Sequence, residues 1–186
     1  MNKNVLIIGA GLSGLGAVKL AKHINYNVRV SSKDAIGSVH KDLFFDLGVQ
    51  FEEGQHSISN LDWANIIIKS PGVPQDIPLI QKARSIGIPI ISEIEFAYRN
   101  TNANIIAITG TNGKTTTSQL VYHILKNAGL DVSLAGNIGI SFSESIIKKQ
   151  SDYYVLELSS FQLEDIIDFK PKVSIVLNLQ KDHLNR

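Results

Sequence analysis

The stretch TGTNGKTT, residues 109–116, follows the apolar run IIAI and precedes an amphipathic segment. A strand, a glycine-containing loop and a helix in that order are typical of a phosphate-binding loop. Gly110 and Gly113 would let the backbone curl so that successive N–H groups point at an anion. Lys114 would reach the β- and γ-phosphates, and Thr115 would offer its hydroxyl to Mg²⁺. The stretch therefore predicts a nucleoside triphosphate site.

This loop is shorter than the usual pattern of Gly, four free positions and Gly-Lys-Ser/Thr. That pattern needs a glycine at position 108, where this sequence has Ile108, and the nearest upstream glycine is Gly110. Thr111, Asn112 and Thr116 complete the set of residues that we expect to contact ATP. A helix cap of Gly-Lys-Thr without a ligand is the alternative interpretation.

A second glycine-rich turn, GAGLSG at residues 9–14, follows the first apolar run. Such a turn allows close approach of a diphosphate to a helix N-terminus. A dinucleotide site also needs an acid roughly twenty residues further on, to bind the ribose. Ser31 and Ser32 stand there, and Asp34 comes late. A nicotinamide-dependent oxidoreductase and a turn that serves only packing both remain possible interpretations.

Two further residues are candidate Mg²⁺ ligands. Glu157 ends the run YYVLE, where a phosphate-loop fold places its second Mg²⁺ ligand, although that ligand is commonly Asp. His183 follows a later strand, and carboxyl ends of parallel strands share one edge of a sheet. A solvent-facing glutamate and an inert surface histidine are the alternatives.

Short apolar runs alternate with stretches of helical period, which predicts an α/β fold with parallel sheets and helices on both faces. Ser92 and Glu95 form a capping-box pattern at the start of one helix. We expect Leu120 with Ile124, and Val121 with Leu125, to form the buried stripe of the 114–128 helix. The expected strands are 4–9, 27–32, 49–53, 63–72, 88–92, 105–109, 131–136, 153–159 and 172–178; the expected helices are 12–24, 39–47, 77–87, 92–100, 114–128 and one opened by SSFQLED.

The polar segment RNTNAN, residues 99–104, has the composition of a linker. We therefore expect two units: a Rossmann-like parallel-sheet domain over 1–98 and the first part of a phosphate-loop domain over 99–186. The second unit has about four expected strands, which is small for a nucleotide-binding domain. We expect the sequence to be a fragment of a longer enzyme.

Composition narrows the classes of function. The net charge of the 186 residues is +1, with acids and bases mixed, so we expect no nucleic-acid partner. There is no cysteine, which excludes disulfides and thiolate metal sites and suits a reducing compartment. The apolar N-terminal run is interrupted by glycines, unlike a signal peptide, and no run reaches the ~20 residues of a membrane span. We expect a cytoplasmic monomer.

TGTNGKTTT at 109–117 resembles the ATP loop of the Mur ligases, which has this shortened form. The resemblance covers essentially the whole chain. It extends to the D-glutamate-adding members of that family through GAGLSG at 9–14, KSPGVP at 69–74, AGNIG at 135–139, ELSSFQLE at 157–164 and NLQKDHLNR at 178–186.

The resemblance implies that ATP phosphorylates the carboxylate of UDP-MurNAc-L-Ala, and that the amine of D-glutamate attacks the acyl phosphate. Lys114 and His183 would be catalytic, with Thr115, Glu157 and His183 as Mg²⁺ ligands. The turn at 9–14 would hold the UDP diphosphate. The UDP-sugar site would be lined by Leu12, Ser13, Ser70, Gly72, Asn137 and Gln162.

The last motif departs from the family, which usually has Thr-Glu-Asp-His-Leu-Asp-Arg: Gln180, Lys181 and Asn185 differ. The resemblance also implies a carbamylated lysine and a C-terminal domain that this chain lacks, so we expect no turnover from these 186 residues alone. Two further alternatives are a regulator that binds ATP without catalysis and folylpolyglutamate synthase. The latter shares a similar loop but is not expected to have the N-terminal unit.

Overall fold

The computed structural model describes residues 3–181, and its N-terminal part is a five-stranded parallel sheet in the order β3-β2-β1-β4-β5. The order reverses beside β1, because β2 and β3 lie on one side of it and β4 and β5 on the other. The strands are β1 (Asn4–Ile8), β2 (Asn27–Ser32), β3 (Gln50–Glu53), β4 (Ile66–Lys69) and β5 (Ile90–Ser92); the helices are α1 (Leu12–His23), α2 (Ser38–Asp46), α3 (Pro78–Ser85) and α4 (Glu93–Tyr98), with a 3-10 turn at Ile58–Asp62.

Continuous apolar runs form the central strands of this sheet. Val5, Leu6, Ile7 and Ile8 are all fully buried, since helices cover both faces. Strands buried on both faces are apolar at successive positions, and do not alternate between apolar and polar. The strand expected over 63–72 is limited to Ile66–Lys69. It starts late because the N–H groups of Trp63 and Ala64 donate to Asn60 in the preceding 3-10 turn, and it cannot extend past Pro71, which has no N–H to donate to a neighbouring strand.

The second sheet has four parallel strands in the order β7-β8-β6-β9. One helix that was not expected from the sequence, α6, lies between β7 and β8, and its N-cap is Ser141. The strands are β6 (Asn104–Thr109), β7 (Val132–Gly136), β8 (Tyr153–Glu157) and β9 (Val173–Val176); the helices are α5 (Lys114–Asn127) and α6 (Phe142–Lys148), with a 3-10 turn at Phe161–Leu163.

Helix α5 buries only half of its expected stripe. Val121 and Leu125 pack against the second sheet, whereas Leu120 and Ile124 are 57% and 56% exposed. Adjacent residues on a helix are about 100° apart, so when Val121 and Leu125 face the sheet, Leu120 and Ile124 point away from it. The helix expected from SSFQLED is also wrong, because that segment forms only the 3-10 turn.

The capping box at Ser92 is half formed. Ser92 Oγ accepts from the N–H of Glu95 at 3.2 Å, as expected, but the N–H of Ser92 donates to the carbonyl of Asp165. The Glu95 carboxylate instead accepts from the backbone N–H groups of residues 167–169 and from Arg99. Glu95 thus fastens α4 to the segment that follows β8.

Helices α1, α4 and α6 bring the two sheets together. A methyl group at Gly16 on α1 would lie 1.8 Å from Ser141 Oγ, so only glycine allows this approach. From α4, the buried Glu93 accepts from the N–H of Ser143 at 2.6 Å, and burial raises the pKa of Glu93 to about 7. No helix in the described part of the chain is long and apolar enough to cross a membrane.

Candidate functional site

A cavity of about 700 Å³ lies at the carboxyl ends of β1, β2 and β4, where the strand order reverses. Ligands of open α/β sheets bind at such a switch point, and the volume is typical of small-molecule sites. Gly9 has a φ of +95° at the turn after β1, and the N-terminus of α1 borders the cavity. Ser70, after β4, donates to the carbonyl of Gly9 at 3.3 Å. The arrangement suits a diphosphate.

The loop between β6 and α5 is held by hydrogen bonds from Lys114 and to Asn178. Gly110 and Gly113 have φ of +141° and +82°, which glycine adopts without strain. Lys114 Nζ lies inside the loop, where it donates to the carbonyls of Gly110 at 2.7 Å and Thr111 at 2.9 Å. The N–H of Asn112 donates to Asn178 Oδ1 at 2.9 Å. The lysine is therefore positioned at the N-terminus of α5, beside any bound anion.

Glu157 ends β8, directly beside the strand that leads into this loop. Its side chain is buried, and Oε1 accepts from Asn137 Nδ2 at 2.9 Å. Oε2 is also buried but has no hydrogen-bond partner among the described residues. An unsatisfied buried carboxylate oxygen is costly unless something binds it, and Mg²⁺ prefers such ligands. The described residues contain no group of three or more metal-binding acids or histidines.

Two family models together match most of the chain. Residues 3–92 match the Mur ligase MurD-like N-terminal domain, and residues 108–186 match the Mur ligase middle domain. The chain belongs to the Mur ligase family. It is 48% identical over 184 residues to the UDP-N-acetylmuramoylalanine–D-glutamate ligase of Bacteroides fragilis, covering 99% of the chain and 41% of that relative. It is 46% identical to the ligase of the same name from Cytophaga hutchinsonii, over 100% of the chain and 42% of the relative.

The chain thus spans about two-fifths of the length of these curated relatives. Solved Mur ligases share the fold: a murein peptide ligase from Psychrobacter arcticus has a TM-score of 0.61 at 21% identity, over 99% of the chain and 44% of that structure. The UDP-N-acetylmuramate-alanine ligase MurC of Thermotoga maritima has a TM-score of 0.59 at 23% identity, over 98% and 43%. At these identities the structures establish the α/β fold alone, which agrees with the class expected from the sequence.

The substrate residues expected in this Mur ligase chain lie in two places. The cavity is lined by Leu12, Ser13, Ser70 and Gly72. The lining includes neither of the remaining pair, Asn137 and Gln162, which belong to the second unit. Asn137 is exposed and contacts Glu157, whereas Gln162 is buried and its Oε1 accepts from the N–H of Ser159 at 3.0 Å.

The predicted nucleotide residues lie on the loop between β6 and α5 and on the first turn of α5, but one expected metal ligand cannot be placed. Thr115 and Thr116 are exposed in the first turn of α5, and Thr111 Oγ1 accepts from the N–H of Gln180 at 3.0 Å. His183, like Asn185, lies outside the described residues.

Several site residues of the Mur ligase chain were missed from the sequence. Lys69, whose side chain is 1% exposed, forms ion pairs across the two units with Glu164 at 3.4 Å and Asp165 at 3.3 Å. Asn178 accepts a hydrogen bond from Asn112 in the loop between β6 and α5, and His56 lines the cavity. The partners that define these roles are distant in sequence: 95 positions separate Lys69 from Glu164, 66 separate Asn112 from Asn178, and 25 separate His56 from Ser31, so local spacing gives no signal. One hint was available for Lys69, the lysine in KSPGVP. It follows three isoleucines of a buried strand, and a buried lysine is rare unless it is paired with an acid.

Gly14→Ala is expected to destabilise the turn at the cavity by about 1–3 kcal/mol, because overpacking distorts the backbone. The new methyl group would lie 1.9 Å from the carbonyl oxygen of Gly9. Gly11→Ala is the matched control, since nothing lies within 4 Å of a methyl group there. Urea unfolding of both variants measures the effect. Equal stability of the two would contradict the close approach.

Proposed function

We propose that this chain provides the UDP-sugar site and the first part of the ATP site of a ligase that joins D-glutamate to UDP-MurNAc-L-Ala. The supporting observation is the combination of two glycine-containing turns, each at a helix N-terminus, on neighbouring sheets. One is the glycine turn with its cavity at residues 9–14, and the other is the loop around Lys114. The names of the relatives from Bacteroides fragilis and Cytophaga hutchinsonii supply the two substrates.

The proposed reaction begins with transfer of the γ-phosphoryl group of ATP to the carboxylate of UDP-MurNAc-L-Ala. The amine of D-glutamate then attacks the acyl phosphate, forms the amide and releases phosphate. Phosphoryl transfer depends on positioning and charge neutralisation more than on a protein nucleophile. Lys114 is the residue that neutralises the β- and γ-phosphates, and the loop 110–116 surrounds them.

Mg²⁺ is proposed as the cofactor, held by Thr115, Glu157 and His183. The buried Glu157, whose Oε2 has no hydrogen-bond partner within residues 3–181, fits a cation that binds oxygen ligands. Bound there, Mg²⁺ would neutralise phosphate charge. His183 belongs to this set through the family resemblance alone.

The UDP-sugar is proposed to place its diphosphate on the turn at 9–14, with Leu12, Ser13, Ser70 and Gly72 around it. Asn137 and Gln162 would extend the site from the second unit, on the segments that follow β7 and β8. We propose that the unit boundary lies near residue 98. We further propose a monomeric, cytoplasmic protein without a nucleic-acid partner.

The direct test is calorimetric titration of the chain with UDP-MurNAc-L-Ala, and with NADH in parallel. Binding of the UDP-sugar but not of NADH supports the proposal. Binding of NADH alone would overturn it and assign the glycine turn to redox chemistry. Binding of both UDP-sugar and ATP by a polypeptide of the relatives' length, without ATP turnover, would instead support a regulatory protein.

A further inference from the structure

The carboxyl end of β2, where a dinucleotide site keeps its ribose-binding acid, has a different arrangement in this chain. Ser31 stands there and is fully buried. Its hydroxyl lies 2.7 Å from Glu52 Oε1 and 2.6 Å from His56 Nδ1. Glu52 belongs to β3, and His56 follows it and lines the cavity. The three side chains form a chain of hydrogen bonds from a carboxylate to the cavity wall.

Proton accounting fixes the direction of these bonds. Burial raises the pKa of Glu52, but hydrogen bonds from Ser57 and Ser31 outweigh it, so the pKa is lowered. Glu52 is therefore an ionised acceptor at neutral pH. The single hydroxyl proton of Ser31 goes to Glu52 at 2.7 Å and not to the more distant carbonyl of Gln55 at 3.3 Å, because two bare acceptor oxygens would repel each other at 2.7 Å. Ser31 can then only accept from His56, so Nδ1 of His56 bears a proton.

His56 is also kept neutral. Burial lowers its pKa below the ordinary 6.5, as does the charge of Lys33, and the opposing effects of Glu52 and Asp34 do not overcome them. With Nδ1 protonated in a neutral ring, Nε2 is a hydrogen-bond acceptor. Nε2 has no hydrogen-bond partner within residues 3–181. The ring borders the cavity and is only partly buried, so this acceptor is available to a ligand.

We propose that His56 determines specificity for the nucleoside part of the ligand, and that its Nε2 accepts a hydrogen bond from a ribose hydroxyl or from the imide N–H of uracil. Ser31 and Glu52 are positioning residues that hold the ring and its tautomer. The histidine thus takes the place of the missing acid beside the cavity. This inference rests on the proposed UDP-sugar site.

The first test is the pH dependence of UDP-MurNAc-L-Ala affinity, measured by calorimetry between pH 5 and 8. The diphosphate of this ligand is esterified at both ends and does not titrate in that range. We expect affinity to fall as the pH falls through the pKa of His56, because imidazolium has no acceptor. Unchanged or rising affinity at low pH would overturn the inference.

Variants separate recognition from folding. His56→Phe is expected to weaken binding roughly tenfold at pH 8, the value of one hydrogen bond, and to remove the pH dependence. His56→Gln keeps a carbonyl acceptor and should recover part of the affinity without restoring the pH dependence. Ser31→Ala should shift the midpoint of the pH profile. His23→Gln, at an exposed position in the last turn of α1, is the control and should match the original chain.

Analogues identify the donor. At pH 8, UDP is compared with its 2′-deoxy, 3′-deoxy and N3-methyl forms. The analogue that lacks the donor should bind the original chain roughly tenfold more weakly than UDP, yet bind His56→Phe as UDP does. Equal binding of all four ligands to the original chain would overturn the inference. If the original chain binds UDP-MurNAc-L-Ala but His56→Phe binds equally well, only this inference fails; if the original chain binds no UDP-sugar at any pH, the proposed function fails with it.

Discussion

Replacing Glu95 by alanine is expected to lower the free energy of unfolding by about 3–5 kcal/mol, because the carboxylate accepts from four donors and each such hydrogen bond contributes about 1 kcal/mol. The carboxylate is fully buried. It accepts from the N–H groups of Ile167, Asp168 and Phe169 at 2.9–3.1 Å, and from Arg99 Nε at 2.7 Å. Without it, three backbone donors and a guanidinium lose their acceptor. Urea unfolding measures the change.

Glu53→Ala is the matched control for Glu95→Ala. Glu53 also accepts from a backbone N–H, that of Ile36, and pairs with Lys41 at 2.8 Å, but it is exposed. Exposed ion pairs contribute about 0–1 kcal/mol, so this variant should be nearly neutral. A loss below about 1 kcal/mol for Glu95→Ala would contradict a structural role for its four donors.

The effect of Glu95 should also depend on pH. Burial raises its pKa, but the hydrogen bonds from residues 167–169 and from Arg99 outweigh burial and hold the pKa below the ordinary 4.5. A lowered pKa in the folded state means that the carboxylate stabilises the fold above pH 4.5 and loses that contribution as the pH falls through the folded pKa. The difference between the original chain and Glu95→Ala should therefore shrink in acid.

Lys114→Met is expected to weaken binding of MgATP about a hundredfold, comparable with the removal of one group that stabilises charge in a preorganised site. The variant removes the positive charge beside the phosphates. It also removes two hydrogen bonds that hold the loop, those to the carbonyls of Gly110 and Thr111. Calorimetry or a fluorescent ATP analogue measures the affinity.

Lys126→Met is the control for Lys114→Met. This substitution removes the same charge from the last turn of the same helix, where Lys126 is exposed and far from the loop. Its affinity for MgATP should be unchanged. Equal affinities of the two variants would show that ATP does not bind at this loop.

Much of the fold followed from local sequence. The runs VLII and IIAI are apolar at every position, which requires burial on both faces and predicts parallel strands. Expected and observed bounds of β2 agree completely, and α1 and α5 differ by one residue at the C-terminus. Helix α6 was missed because FSESIIK is short and rich in serine, and its N-terminus is stabilised partly by Glu93 from the first unit.

The candidate site also has a part that local sequence predicts and a part that depends on tertiary packing. The two glycine turns are recognisable because their chemistry lies within a few consecutive residues, so spacing alone predicts an anion site after β1 and another after β6. Only the tertiary structure decided that Lys69 meets Glu164, that Ser31 meets His56, and that Glu95 turns away from its own helix N-terminus. A buried polar group takes whichever partner the packing brings within about 3 Å, and packing is set by sheet order and helix contacts. Separation along the chain does not determine that distance.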